Sequence, residues 1–240
     1  MSSLVYTIAQ NGYGRAFARC IKSQERYADR IGARFVVIDK PSYVPHPALS
    51  AWLKVPVMQH ALDEGFETVA YIDADCEVRA DAPDFSDEFG SHPHAVLMAN
   101  GRSGRLNSGV MFSRQSTEAK AFFTAVRESL TQKISDEARA NLKYENGNII
   151  HVANQIGGVS ILGKEWNNTE DVNLHDRIRH FSGPMAATYR RSFLDEAFYR
   201  LIKNTISRRP AQPVQREADF DKALDDLVAD VVRIYPSLSQ

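Results

Sequence analysis

Residues 69–75 read VAYIDAD, an unbroken apolar run that ends in two aspartates. The length of the run and its β-branched and aromatic residues predict a buried strand, which we place over residues 68–76. Because strand side chains alternate between faces, Asp73 and Asp75 are predicted to project to the same side. Two carboxylates this close repel each other unless a cation lies between them. The stretch therefore predicts both a central strand and a binding site at its end.

A hard cation is the ligand that this pair predicts. Mg²⁺ and Mn²⁺ prefer carboxylate oxygens and leave coordination positions open for phosphate groups. In open α/β sheets, ligands bind beyond the carboxyl ends of the strands, which is where the pair lies. The plain alternative is a solvated turn after the strand, because Asp is common in turns.

The sequence before the pair predicts an α/β fold. Residues 4–9 form a predicted strand, residues 15–31 a helix that ends at Gly32, and residues 35–39 a second strand. Strand, helix and strand in this order build parallel sheets. The remaining predicted elements are helices at 51–64, 117–133 and 191–206 and strands at 95–100, 110–113 and 159–162.

The C-terminal part of the chain has a different composition. Residues 208–216 include Pro210 and Pro213 and are predicted to be a linker. An amphipathic helix follows within residues 217–240, with an apolar stripe at helical spacing. We therefore expect a main domain over residues 1–207 with the helix as an appendage. The helix either packs against that domain or forms a homodimer contact.

Charge and composition exclude several classes of protein. The 240 residues carry a net charge of -1, whereas nucleic-acid-binding domains are usually strongly basic. Cys20 and Cys76 are not spaced as a metal motif or a disulfide framework, so reduced thiols are expected. We find no signal-peptide pattern and no apolar run near the roughly 18 residues of a membrane span. The expected location is cytoplasmic, with loose contact to a membrane surface left open.

Five short motifs follow one another along the chain. They read YAxxxG at 27–32, WxKxP at 52–56, DAD at 73–75, NSGVMF at 107–112 and HFSGP at 180–184. Together they resemble retaining glycosyltransferases of the GT-A fold. The likeness is greatest to the galactosyl- and xylosyltransferases of family 34, and it extends to the glycogenin-like family 8.

The resemblance implies a fold and a reaction. The fold would be α/β, with a mixed, mostly parallel sheet flanked by helices. The reaction would move a sugar from a nucleotide-diphosphate sugar to an acceptor hydroxyl, with retention of configuration and with Mn²⁺ or Mg²⁺ as cofactor. Asp73, Asp75 and His180 would bind the metal.

The resemblance also implies roles for residues outside the metal site. Lys54 would neutralise the diphosphate or brace an aspartate, and Asn107 would face the donor sugar or the acceptor. Gln155 would contact the sugar near the reacting carbon. Contacts to the nucleotide sugar would come from Ala9, Asn11, Tyr13, Ala74 and Gly183, together with the two aspartates. Tyr13 would stack on the base.

The motif around Gln155 departs from these families. They carry an acidic residue directly before the glutamine, where this chain has Asn154. Glu145 and Asp171 are the alternatives for the missing acid. The departure leaves a catalytically inactive nucleotide-sugar or glycan-binding protein as the alternative function. A phosphatase of the haloacid dehalogenase type is disfavoured, because such enzymes carry Asp-x-Asp on their first strand.

Overall fold

The computed structural model describes residues 2–139, 144–207 and 218–240. The linker predicted over residues 208–216 lies outside the described residues. Among the described residues, no helix combines the length and the apolar character that crossing a membrane requires.

A central sheet of six strands organises the chain, in the order β2-β1-β3-β6-β5-β7. Strand β1 runs parallel to β2 and β3, β6 runs antiparallel to β3 and β5, and β5 runs parallel to β7. Only β6 therefore opposes the common direction, and the predicted mixed, mostly parallel sheet is confirmed. The strands are β1 Ser3–Ile8, β2 Arg34–Ile38, β3 Thr68–Ile72, β5 Val96–Asn100, β6 Leu106–Arg114 and β7 Val159–Leu162.

A second, smaller sheet lies beyond the carboxyl end of β3. It pairs β4 (Cys76–Val78) with β8 (Ile178–His180) in antiparallel fashion, and Cys76 stands directly opposite His180. This pairing joins the segment after the aspartates to a segment about a hundred residues later in the chain. It brings the predicted third metal ligand to the first two.

Helices cover the sheet. The helix predicted over residues 15–31 is divided at Phe17, and its predicted end at Gly32 is confirmed by a left-handed φ of 69° there. The helix predicted over 51–64 likewise begins earlier and is interrupted at Leu53. The helices are α1 Tyr13–Ala16, α2 Ala18–Ile31, α3 Pro47–Trp52, α4 Lys54–Asp63, α5 Thr117–Glu128, α6 Asp136–Arg139, α7 Asn146–Ile156, α8 Phe193–Ser207 and α9 Ala218–Ile234.

Both faces of the sheet are buried, which explains why β3 is apolar throughout. Val69 and Tyr71 pack into the core on the side of α4, α5, α7 and α9. Ala70 and Ile72 pack into the core on the opposite side, which includes α2. A strand covered on both faces reads as a continuous apolar run rather than an alternating one.

The C-terminal helix belongs to the main core. The buried side chains of its stripe, Phe220, Leu224, Leu227 and Val231, lie in the same apolar cluster as α3 and α4. Beyond the helix, the Tyr235 hydroxyl accepts hydrogen bonds from the backbone N–H groups of Asp39 and Lys40, at 2.9 and 2.8 Å. The packing of residues 218–240 therefore does not separate this segment from the rest as an appendage, because the stripe is buried against α3 and α4.

Candidate active site

The two aspartates lie in a turn and not on the strand that we predicted over 68–76. Strand β3 ends at Ile72, and the Cys76 N–H donates to the Asp73 carbonyl at 2.9 Å to close a turn before β4. The argument from strand alternation is therefore wrong for this pair. The carboxylates nevertheless approach each other, because the turn redirects the chain toward β8.

Three neighbouring elements hold this turn in place. From α2, the Gln24 side-chain N–H₂ donates to the carbonyls of Asp73 and Cys76, at 2.9 Å each. From β6, the Gly109 carbonyl accepts from the Asp73 N–H at 2.8 Å. The Phe181 N–H, just after β8, donates to the Asp75 carbonyl at 3.0 Å. The turn is therefore fixed by the tertiary structure, which suits a site that must hold its groups in one geometry.

His180 completes a cluster with the two aspartates. Its Nε2 lies 3.3 Å from Asp75 Oδ1 and 3.9 Å from Asp73 Oδ2, and the ring is buried. Burial works against the charged ring, but the two carboxylates outweigh it and raise the pKa of His180. Burial would raise the pKa of Asp75, but the imidazolium outweighs it and lowers that pKa. The residues predicted as metal ligands are thus brought together.

The chemistry of the donor atoms tests whether a hard cation fits here. Side-chain atoms of Asp75, Cys76 and His180 lie within 4.8 Å of one another, so the Cys76 thiol competes with Asp73 for the third position. Burial and the two aspartates raise the pKa of that thiol, which keeps it protonated. Mn²⁺ and Mg²⁺ prefer carboxylate to sulfur. The set Asp73, Asp75 and His180 therefore fits a hard cation better than the set with Cys76.

Gly109 makes room for the imidazole. A Cβ at this position would lie 2.4 Å from His180 Cε1 and 2.8 Å from its Nδ1, closer than any side chain tolerates. Asn107, two residues earlier, lines the cleft, and its Oδ1 accepts from the Gly109 N–H at 2.9 Å. Within the Asn-Ser-Gly sequence of β6, the glycine gives space to His180 and the asparagine bonds the glycine N–H.

Lys54 is buried at the base of the site and not on the surface. Its Nζ lies 2.8 Å from Glu145 Oε1 and 3.3 Å from Asp73 Oδ1, and it donates to the Ser108 carbonyl at 3.4 Å. Burial disfavours the ammonium, but Asp73 and Glu145 outweigh it and raise the pKa of Lys54 above its usual range. The Tyr71 hydroxyl also donates to Asp73 Oδ1. The lysine therefore braces an aspartate, one of the two roles predicted for it.

A cleft of about 370 Å³ lies over these residues. Asn11, Tyr13 and Ala74 line it, in agreement with their predicted position at the donor site. Ala9 is buried beside β2, where its N–H donates to the Ile38 carbonyl, and it does not line the cleft. Gly183 is likewise absent from the lining, although Ser182 before it is present. The volume is within the range of about 300–1,000 Å³ that is usual for small-molecule sites.

Gln155 is not part of the site. It is exposed near the end of α7, whereas Glu145 is buried directly before the first residue of that helix and lines the cleft. Glu145 Oε1 accepts from the Ser108 hydroxyl at 2.8 Å, in addition to its ion pair with Lys54. Of the two alternatives for the missing acid, the cleft contains Glu145 and not Asp171. Asn154 and Gln155 therefore lie at the end of α7 away from the cleft.

Several residues of the site were not singled out from the sequence. Asn146 follows Glu145 and begins α7. An acidic residue at the start of a predicted helix is the signal that could have identified this pair. Gln24 and Asn167 have no local signal, because each acts through contacts with residues distant in the chain, and Tyr71 reads in the sequence only as part of a buried strand. Further lining residues are Ile8, Gln10, Pro47, Ser50, Ala51, Ser108 and Tyr144.

Comparisons with known proteins show the fold. No protein-family model matches the sequence, and no curated protein matches it significantly. A glycosyltransferase involved in glycosylation of the major capsid of PBCV-1 is 15% identical, with 82% of this chain and 100% of that chain covered and a TM-score of 0.57. The glycosyltransferase GlyE of Streptococcus pneumoniae TIGR4 is 13% identical, with 97% of this chain and 65% of that chain covered and a TM-score of 0.51. The chain therefore has the GT-A fold of glycosyltransferases.

Proposed function

We propose that this protein is a metal-dependent glycosyltransferase that moves a sugar from a nucleotide-diphosphate sugar to an acceptor hydroxyl. The observation that carries the proposal is the meeting of Asp73, Asp75 and His180 at the base of the cleft. The GT-A fold supports the same reaction class, but a fold alone does not establish an activity.

The carboxylates and the imidazole would hold Mn²⁺ or Mg²⁺. Such a cation stabilises the charge that develops on a leaving diphosphate. Lys54 is already paired with Asp73 and Glu145, so its charge chiefly compensates these buried carboxylates. We therefore assign Lys54 to keeping Asp73 ionised and in place, and the neutralisation of the diphosphate to the bound cation.

Glu145 takes the place of the acid that the motif comparison lacked. The transition state of sugar transfer has positive charge at the reacting carbon, as in glycoside hydrolysis. A buried carboxylate at the cleft stabilises such charge. Its Oε1 is already held by Lys54 Nζ and Ser108 Oγ, so we assign it to electrostatic stabilisation and not to nucleophilic attack. We accordingly favour retention through front-face attack by the acceptor, with a diphosphate oxygen as the base.

We assign the nucleotide base to the part of the cleft at the end of β1. Tyr13 lines the cleft there and packs against Phe17, with 5.5 Å between ring centroids, so the ring is held in position to stack. Asn11 has a left-handed φ of 54°, and its Oδ1 accepts from the Val44 N–H at 2.9 Å. Asn11 thus shapes this end of the cleft by tying two loops together.

The alternative function is an inactive nucleotide-sugar-binding or glycan-binding protein. The presence of Glu145 in the cleft favours an enzyme over it. Turnover separates the two functions, since a binding protein retains the donor without releasing nucleoside diphosphate.

The proposal is tested with a panel of nucleotide sugars. Thermal shift with Mn²⁺ identifies the donor, because ligand binding stabilises the native state. Release of nucleoside diphosphate with that donor then measures activity. The Asp75→Asn variant is expected to keep the fold, as judged by circular dichroism, and to lose the Mn²⁺-dependent shift. A variant that binds the donor as tightly as the wild type, or a wild type that binds it without turnover, would contradict the proposal.

A further inference from the structure

We propose that Asn167 is a positioning residue that fixes the tautomer of His180, so that the Nε2 lone pair of the ring faces the cation site. The inference deepens the proposed function and rests on it, because it concerns the same metal site. It is carried by an unbroken series of hydrogen bonds that begins at a backbone N–H group.

The orientation of the Asn107 amide follows from Gly109. The Gly109 N–H is a donor, and it lies 2.9 Å from Asn107 Oδ1, so the atom facing it must be the oxygen. The assignment of oxygen and nitrogen in this amide therefore rests on the hydrogen-bond pattern. Because a backbone N–H cannot change its role, this first step has no alternative.

The orientation of Asn167 follows from Asn107. Asn167 Nδ2 lies 3.0 Å from Asn107 Oδ1 and 3.3 Å from the Asn107 carbonyl oxygen. Both partners are acceptors, so the amino group of Asn167 must face them. A rotated amide would place its oxygen against two oxygens and leave a buried side chain without its hydrogen bonds, which is strongly unfavourable.

The protonation of the ring follows from Asn167. With its amino group engaged, Asn167 directs its Oδ1 at His180 Nδ1, 2.9 Å away. An oxygen acceptor requires a proton on Nδ1. In the neutral ring the lone pair is then on Nε2, the atom 3.3 Å from Asp75 Oδ1. Asn167 thus selects the tautomer that can bind a cation beside the aspartates.

The packing around the ring restricts its displacement. Its Cε1 and Nδ1 pack against the Cα of Gly109, where even a methyl group would clash. Asn167 itself is buried, with 1% of its surface exposed, so water cannot replace its oxygen. Loss of such a partner of a metal-binding histidine typically weakens metal affinity by about 10–100-fold.

The test measures Mn²⁺ affinity without donor, from the electron paramagnetic resonance signal of free Mn²⁺. Asn167→Leu keeps the size of the side chain but removes the acceptor, and we expect a loss of about 10–100-fold. Asn167→Asp keeps an acceptor for the Nδ1 proton but sets its second oxygen against the two Asn107 oxygens, so it should lose stability in urea while keeping more Mn²⁺ affinity than Asn167→Leu. Asn168→Leu is the matched control, because the Asn168 side chain is also buried and bonds Asp171 and Asp176, whereas its bond to the His180 N–H uses the backbone carbonyl, which the substitution keeps.

A double-mutant cycle separates positioning from general damage to the fold. In the His180→Ala background, Asn167→Leu should cause no further loss of Mn²⁺ affinity. The ¹⁵N spectrum of the neutral His180 ring in the wild type should place the proton on Nδ1, a reading that does not depend on any variant being folded. An equal loss in Asn168→Leu, an undiminished loss in the His180→Ala background, or a proton on Nε2 overturns the inference.

The outcomes distinguish this inference from the proposed function. Mn²⁺ binding that depends on Asn167 and His180, without turnover of any nucleotide sugar, supports the inference and contradicts the enzyme. Turnover that Asn167→Leu leaves unchanged, together with unchanged Mn²⁺ affinity, contradicts the inference alone. A wild type that binds no Mn²⁺ overturns both.

Discussion

At the scale of the residue, the site depends on what Gly109 lacks. His180 occupies the space that a side chain at position 109 would take, and it reaches the aspartates only because that space is free. Asn167, which is itself bonded to Asn107, then holds the ring through Nδ1. The glycine is therefore required by the close approach of an imidazole, and its backbone angle is not the reason.

Gly109→Ala should cause the same loss of Mn²⁺ affinity that is expected for His180→Ala. The added methyl group would lie 2.4 Å from His180 Cε1, so the ring must move away from the aspartates. Overpacking of this kind costs about 1–3 kcal/mol of stability. Mn²⁺ titration and urea unfolding measure the two effects.

Gly90→Ala is the control for this change, because a Cβ at Gly90 meets no atom within 4 Å. It should leave Mn²⁺ affinity at the wild-type value. If Gly109→Ala also binds Mn²⁺ normally, the close packing of glycine and imidazole does not determine the position of the ring.

At the scale of the element, the ion pair of Lys54 with Glu145 links α4 to the start of α7 beneath the cleft. The third member is Asp73, in the turn after β3. A buried cation between two carboxylates keeps three separate elements at a fixed spacing. The Lys54 ammonium therefore fixes the spacing of these three elements. Removing one charged member of the network leaves a buried charge uncompensated and destabilises the fold.

Lys54→Met should destabilise the protein by about 3–5 kcal/mol, because it leaves buried carboxylates without their cation. Adding Glu145→Gln should restore part of that loss, since it removes one of the uncompensated charges. The free energy of unfolding in urea measures both variants.

Lys120→Met serves as the comparison, because Lys120 is exposed and pairs with Asp63 at 3.0 Å on the surface. An exposed pair of this kind contributes only about 0–1 kcal/mol. Equal effects of the two lysine substitutions would mean that the Lys54 network adds nothing beyond an ordinary surface ion pair.

At the scale of the whole molecule, the helices on one face of the sheet form a single apolar core that includes α9. Leu224 is fully buried there, while Ile234 on the same helix is 39% exposed. The homodimer through this helix stays a prediction, and so does the contact with a membrane surface. Because the buried stripe is used inside the molecule, the helix is needed by the fold itself.

Leu224→Ala should cost about 2–5 kcal/mol of unfolding free energy, as expected for a cavity in a packed core. Ile234→Ala, a similar loss of apolar volume at the surface end of the helix, should change stability by no more than about 0.5 kcal/mol. Thermal unfolding at several protein concentrations should give the same Tm. A Leu224→Ala variant as stable as the wild type would restore the view of α9 as an appendage.

Local pattern was enough to predict the sheet, and the motifs were enough to predict that Asp73, Asp75 and His180 lie together. The apolar runs of β1, β2 and β3 predict buried strands wherever they pack, and carboxylates after a buried strand are rarely without a purpose. The order of the five motifs indicated the GT-A fold, because each motif is a short segment that can be recognised from neighbouring residues alone. These properties depend on neighbours in the chain.

The remaining features depend on contacts between distant residues, and only the tertiary structure decided them. Asp73 and Asp75 meet because Gln24, 49 residues from Asp73, helps to fix the turn that holds them. Glu145 and not Gln155 lies in the cleft, because the position of α7 in the packed core determines which of its ends faces the site. Sequence spacing cannot show this, since burial, ion pairing and the hydrogen bond from His180 to Asn167 arise only when separate elements pack together.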